Sequence, residues 1–149
     1  MKALFDQVSL KASKMVTNAY STSFSLGIRM LNESVREPVY AIYGFVRFAD
    51  EIVDSFEGYD KAALIADFRK QTDEAIDQRI SLNPILNSFQ HAVNHCSIDQ
   101  WLIDAFFDSM EMDLEEQTYD QATFEKYILG SAQVVGLMCL RVFCNGDNA

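Results

Sequence analysis

Residues 40–54, which read YAIYGFVRFADEIVD, decide the fold of this chain. A long helix is predicted from Pro38 to about Phe56, because proline suits the first turn of a helix. Aromatic and aliphatic side chains cover most of its circumference, which is typical of a buried helix. Residues at spacings of 4, 3 and 4 share one face of this helix: Tyr43, Arg47, Asp50 and Asp54.

Helix signals also dominate the rest of the chain. Residues 20–25, YSTSFS, predict a loop or a broken helix end, because serine competes with the backbone for hydrogen bonds. The other helices are predicted at about residues 2–19, 60–80, 83–95, 99–116 and 120–143, with caps at Asp60, Asn83 and Asp99. No segment alternates as a strand does. We therefore predict an all-α fold of about six helices, with residues 1–149 as a single domain.

Composition narrows the class of protein. The chain has 149 residues, 49% of them hydrophobic, and a formal net charge of −10. Nonspecific binding of nucleic acid needs a basic surface, so we expect no nucleic-acid partner. Three cysteines without CxxC spacing indicate reduced thiols in a cytoplasmic protein. Neither a signal peptide nor a membrane span is predicted, and peripheral contact with a membrane is left open.

The polar face of the long helix has two interpretations. In the first, Arg47 and Asp50 form an ion pair and Asp54 faces water at the helix end. In the second, Asp50 and Asp54, about 6 Å apart at Cβ, bind Mg²⁺ together with phosphate oxygens of a substrate. Arg47 would then grip the phosphate, and Tyr43 would meet the apolar part of the ligand. Periodicity alone leaves both open.

Other candidates carry weaker signals. The DxxxD spacing recurs at Asp73/Asp77 and at Asp104/Asp108, and the latter two are expected on a solvated face. His91 and His95 are four residues apart, but an exposed helix pair is preferred to a metal site because no third ligand follows. Asp113 lies on an apolar stripe, either near water at a helix end or as a third carboxylate facing a cavity.

Three segments resemble the squalene/phytoene synthase family: residues 21–25 (STSFS), residues 40–54 with YAxYxxxR and DxxxD, and residues 124–136 (FEKYILGSAQVVG). The similarity runs along the whole chain but covers only the N-terminal half of the family's domain. It implies an isoprenoid-synthase-type helical bundle. It also implies the head-to-head condensation of two prenyl diphosphates with Mg²⁺ as cofactor. Phytoene synthases, which use geranylgeranyl diphosphate, look more similar than squalene synthases, which use farnesyl diphosphate.

The resemblance also assigns residues. Asp50 and Asp54 match the family's first aspartate-rich motif, which binds Mg²⁺ and through it the diphosphate. The matched substrate contacts are Tyr20, Ser21, Thr22, Ser23, Tyr43, Arg47 and the cavity-lining Tyr127. The chain departs from the family where Glu51 replaces a second adjacent aspartate, and where Tyr20 and Thr22 replace histidine and lysine.

The family's second aspartate-rich motif has no counterpart in these residues. We therefore expect an incomplete, inactive fragment of such an enzyme. The alternative from another class of protein is a noncatalytic helical interaction module. The last predicted helix, about residues 123–143, is apolar almost all round, so a homodimer through this helix is also expected.

Overall fold

The structure is a computed structural model that describes residues 1–114, 122 and 133–144. Seven α-helices lie in this part of the chain, which contains no strand. They are α1 (Lys2–Tyr20), α2 (Thr22–Arg29), α3 (Glu33–Ser55), α4 (Lys61–Gln78), α5 (Pro84–Cys96), α6 (Gln100–Leu114) and α7 (Val134–Cys144). The all-α prediction is confirmed. The helix expected to begin near residue 120 starts outside the described residues.

A single extended residue separates α1 from α2. Ser21 has φ −148° and ψ 103°, and its hydroxyl accepts a hydrogen bond from the Phe24 N–H at 3.1 Å. This cap starts a new helix at Thr22. The expected broken helix end is confirmed, whereas a loop through residue 25 was wrong, because the serine caps the next helix instead of preventing one.

Helix α3 begins five residues before the predicted start. The Asn32 side chain accepts a hydrogen bond from the Ser34 N–H at 3.1 Å and so caps a helix that starts at Glu33. Pro38 lies inside the helix, where it removes one helical hydrogen bond. The prediction of a start at Pro38 was wrong because the asparagine cap is the earlier start signal.

The caps predicted for the next helices are confirmed. Asp60 accepts a hydrogen bond from the Ala63 N–H at 3.0 Å, and Asn83 accepts from the N–H groups of Ile85 and Leu86. Two left-handed residues end these helices: Arg79 at φ 60° and Ser97 at φ 55°. Helices α4 and α5 are therefore bounded much as their sequences predict.

An aromatic core holds α3 at the centre of the bundle. The Phe45 ring is fully buried and stacks on Phe89 with ring centres 3.8 Å apart. Rings from α4 and α6 surround it: Phe68, Phe106 and Phe107. Removing such a ring destabilises a protein by about 3–5 kcal/mol. The core therefore fixes α3, and with it the polar face that the sequence singles out.

Helices α1, α3 and α5 meet along a seam of small and polar residues. A Cβ on Gly44 would lie 3.2 Å from the side chain of Ser13, so α1 and α3 approach closely there. The hydroxyl groups of Ser13 and Ser88 share a hydrogen bond. The Asn87 amide donates to the Ser9 hydroxyl at 3.1 Å and to Asp6 at 2.9 Å. These buried polar groups satisfy one another across the seam.

Candidate active site

The last four turns of α3 bring together the residues predicted to bind substrate. Tyr43 is half-buried and stacks on Phe24 of α2, with ring centres 4.6 Å apart. The side chains of Arg47 and Asp50 are 22% and 34% exposed, and Asp54 is exposed near the helix end. The face therefore runs from an aromatic pair at one end to carboxylates at the other.

Arg47 pairs more closely with Glu51 than with Asp50. Its Nη2 donates to the Glu51 Oε2 at 3.1 Å, whereas its Nη1 lies 4.0 Å from the Asp50 Oδ2. The guanidinium carbon lies 4.9 Å from the centre of the Tyr20 ring. The Arg47–Asp50 ion pair of the first interpretation is present but long, and Asp54 faces water as expected, so the charge of Asp50 is only weakly compensated.

Asp50 and Asp54 at the end of α3 form an acidic cluster with Asp113 of α6. The pKa of Asp50 is raised to about 6, first by burial and then by the charges on Asp54 and Asp113, against the opposing effect of Arg47. The pKa of Asp113 is likewise raised, first by burial and then by Asp54. The last turn of α3 contains no basic residue, and the negative end of its helix dipole adds to the repulsion.

The donor set of this cluster suits a Mg²⁺ ion shared with a substrate. Among the described residues, no three acidic, histidine or cysteine side chains form a ready metal cage. Mg²⁺ is usually held by one or two carboxylates together with substrate phosphates and water. The buried Arg47 Nε lacks a hydrogen-bond partner in the described part of the chain. Asp50 and Asp54, whose charges are weakly compensated, therefore suit a cation. The unpaired Arg47 Nε beside them suits a phosphate.

The serine segment lies at the junction of α1 and α2. Tyr20 ends α1, Ser21 caps α2, and Thr22 and Ser23 are exposed in the first turn of α2. The Ser25 hydroxyl donates to Asn18 at 2.6 Å and ties the two helices together. Contact between Tyr20 and Arg47 places this junction beside the polar face. Tyr127, the remaining predicted substrate contact, lies outside the described residues.

Sequence reasoning missed two contacts of the site. Glu51 lies four residues after Arg47, a spacing that could have revealed the ion pair. Phe24 stacks on Tyr43 across two helices. No local pattern relates these two aromatic residues, because their contact depends on how α2 folds back after Ser21.

The weaker candidates have other roles. The side chains of Asp104 and Asp108 are about half exposed, in agreement with the expected solvated face, and both also pair with Arg69 of α4, at 3.8 Å and 3.0 Å. His91 and His95 are exposed, with parallel rings 5.7 Å apart. They line a cleft of about 390 Å³ between α1, α3 and α5. Ala41 also lines this cleft, and helical spacing puts Ala41 on the opposite face of α3 from Asp50.

Solved structures share this fold. A dehydrosqualene synthase in complex with a ligand superposes with a TM-score of 0.79 at 20% identity, over 92% of this chain and 48% of its own. Squalene synthase HpnC from Alicyclobacillus acidocaldarius superposes with a TM-score of 0.84 at 21% identity, over 96% of this chain and 54% of its own. The helices described above therefore match about half of a squalene synthase fold.

The family follows from the sequence match. Residues 17–149 match the model of the squalene/phytoene synthase family, so this chain belongs to that family. Among curated relatives, the presqualene diphosphate synthase of Zymomonas mobilis is 31% identical over 149 residues, covering 93% of this chain and 48% of its own length. That of Sinorhizobium fredii is 32% identical over 130 residues, covering 85% and 46%. The chain thus spans about half the length of the curated relatives it matches.

Proposed function

We propose that this chain binds the diphosphate group of a prenyl diphosphate, with Mg²⁺, at the polar face of α3. The observation that carries the proposal is the acidic cluster of Asp50, Asp54 and Asp113 beside Arg47, whose buried Nε lacks a partner. Mg²⁺ bound by Asp50 and Asp54 would neutralise the diphosphate and so make it a better leaving group.

The residues around this face support head-to-head condensation. Arg47 binds a phosphate oxygen with a charge-assisted hydrogen bond. Tyr43 lies one turn before Arg47 on α3 and stacks on Phe24 of α2, and this pair of rings would meet the allylic chain. Aromatic faces stabilise the allylic cation that forms when the carbon–oxygen bond breaks.

We propose a farnesyl chain as the substrate. The curated relatives above are named presqualene diphosphate synthases, and that name favours the squalene-type alternative. The sequence-based preference for geranylgeranyl diphosphate stays a prediction. Attack by the double bond of a second prenyl diphosphate on the allylic cation, followed by loss of one proton to the released pyrophosphate, would give the cyclopropyl diphosphate.

Calorimetric titration of an unreactive farnesyl diphosphate analogue tests the site. We expect binding that requires Mg²⁺ and falls about 10- to 100-fold in Asp50→Asn and in Asp54→Asn, since each loses one charge-assisted contact. The matched control is the double variant Asp73→Asn/Asp77→Asn, which removes carboxylates of the same spacing from the exposed side of α4. Binding that ignores Mg²⁺, or that the control variant weakens equally, contradicts the assignment. The geranylgeranyl analogue, titrated in parallel, compares the two chain lengths.

Binding is expected without appreciable turnover in these 149 residues. Asp50 and Asp54 form the one aspartate pair that we assign to the diphosphate, whereas ionisation in this family uses metal held by two opposed pairs. Formation of hydrocarbon or cyclopropyl product at an ordinary enzymatic rate would show that the chain supplies a second carboxylate set, with Asp113 as the first residue to mutate.

A further inference from the structure

Arg47 is held on two sides by residues to which the proposed function gives no direct role. Its Nη2 donates to Glu51 at 3.1 Å, and its guanidinium carbon lies 4.9 Å from the centre of the Tyr20 ring. An ion pair fixes where the guanidinium lies, and an aromatic ring stacked against it fixes the orientation of its plane. Together, the two contacts restrain both the position and the orientation of the group.

Glu51 is itself fixed by neighbours. Its carboxylate accepts a hydrogen bond from Arg47 at 3.1 Å, and the neighbouring hydroxyl groups of Ser55 and Tyr20 lower its pKa. Tyr20 ends α1, whereas Glu51 and Ser55 lie one turn apart on α3. This network therefore connects the polar face of α3 to the junction of α1 and α2, two segments that are far apart in sequence.

Two other donor nitrogens of Arg47 make no close hydrogen bond within the described part of the chain. Nη1 lies 4.0 Å from Asp50, and the buried Nε lacks a partner among the described residues. A ligand bound beside Asp50 would find these donors already in place. Arginine carries about 2 kcal/mol of rotamer entropy, and a side chain that is ordered before binding does not lose it on binding.

We propose that Tyr20 and Glu51 are positioning residues that hold the Arg47 guanidinium ready for the diphosphate. This inference rests on the proposed function, because it assumes that Arg47 binds that group. Glu51 brings a negative charge close to an anionic ligand, so a role in raising affinity through charge is excluded. The Glu51 carboxylate contributes instead by orienting Arg47. The Tyr20 hydroxyl in turn orients the Glu51 carboxylate.

Titration of inorganic pyrophosphate in the presence of Mg²⁺ tests the proposal. Tyr20→Phe keeps the ring against Arg47 but removes the hydroxyl that holds Glu51. We expect it to weaken binding about two- to tenfold, the effect of one hydrogen bond. In an Arg47→Met background the same substitution should have no further effect. The matched control is Tyr59→Phe, which removes the hydroxyl of an exposed tyrosine and should leave binding unchanged.

The possible outcomes separate the two proposals. Wild-type chain that does not bind pyrophosphate contradicts the proposed function, and the positioning role falls with it. A Tyr20→Phe effect of equal size in both backgrounds shows that Tyr20 acts without Arg47, which overturns the positioning role alone. Thermal unfolding of each variant checks that it is folded.

Glu51→Gln provides a second test that does not depend on Tyr20. We expect weaker binding even though a negative charge is lost, because the anchor of Arg47 is lost as well. Stronger binding would show that Glu51 competes with the ligand for Arg47 and would overturn the proposal. The ¹⁵Nε signal of Arg47 gives a readout in the ligand-free chain: guanidinium rotation should be slow in the wild type and faster in Glu51→Gln.

Discussion

Asp50 is a residue whose charge the folded chain disfavours. It is partly buried, it lies close to Asp54 and Asp113, and it is near the negative end of the α3 dipole. Arg47, whose Nη1 lies 4.0 Å from the Asp50 carboxylate, is engaged mainly by Glu51. This electrostatic repulsion destabilises the protein that has no ligand, and a bound cation would relieve it.

Stability should therefore depend on pH through Asp50. Its pKa of about 6 lies above the ordinary 3.8, so the folded chain holds the proton more tightly than the unfolded chain does. Ionisation thus lowers the free energy of unfolding as the pH rises from about 4 to about 6. We expect Asp50→Asn to be more stable than the wild type at pH 7.5 and equally stable below pH 4, as measured by urea unfolding.

The size of this effect is limited by solvent. Two pKa units correspond to about 3 kcal/mol, but a side chain that is 34% exposed is partly screened, so we expect a gain of about 1 kcal/mol. Asp67→Asn, on the exposed side of α4, should change stability by less than about 0.5 kcal/mol. An Asp50→Asn variant that is no more stable at pH 7.5 would show that Asp50 is already compensated.

Helical spacing predicted the polar face of α3 and its Arg47–Asp50 pair, but not that Glu51 lies closer to Arg47. Asp50 and Glu51 are three and four residues after Arg47, and both spacings allow an ion pair. Tyr20, which lies against Arg47 and lowers the pKa of Glu51, belongs to another helix. Tertiary contacts of this kind leave no periodic signal in the sequence.

At the scale of helices, side chains that cap the backbone were the most informative signals. Asp60 and Asn83 act on N–H groups within three residues, so their effect is local and can be read from the sequence. The start of α3 was predicted at the wrong residue because Asn32 and Pro38 are both signals for the start of a helix. Local rules do not decide between two such signals.

Two helical glycines should respond differently to alanine. A Cβ at Gly27 in α2 would meet nothing within 4 Å, so Gly27→Ala should stabilise the protein by about 0.5–1 kcal/mol through helix propensity. A Cβ at Gly44 would lie 3.2 Å from Ser13, so Gly44→Ala should gain nothing or lose stability. Urea unfolding measures both. Equal gains would show that α1 and α3 do not approach as closely as described.

On the scale of the whole molecule, α7 is divided between two environments. Val134, Met138 and Val142 are buried in the core. Three large apolar side chains of the same helix are exposed at 37%, 53% and 50%: Leu137, Leu140 and Phe143. The helix therefore packs on its own chain and still presents an apolar stripe. No described helix is long and apolar enough to cross a membrane.

The stripe of Leu137, Leu140 and Phe143 should make the chain associate. We expect a dimer in light scattering that strengthens with salt, because salt screens the charge of −10 on each chain. Leu140→Lys should shift the equilibrium to the monomer, whereas Leu82→Lys, at an exposed residue between α4 and α5, should not. A mass that stays at 16.9 kDa at high concentration and high salt rejects the dimer.

The polar seam between α1 and α5 also determines when α1 can form its tertiary hydrogen bonds during synthesis. Asn87 follows Asp6 by 81 residues, and Ser88 follows Ser13 by 75. A ribosome adding about 5–20 residues per second needs roughly 4–16 s to make that interval. Until then the Ser13 hydroxyl has only water or α1 itself as a partner. Helix α1 is thus locked in place only after α2 to α5 have been made.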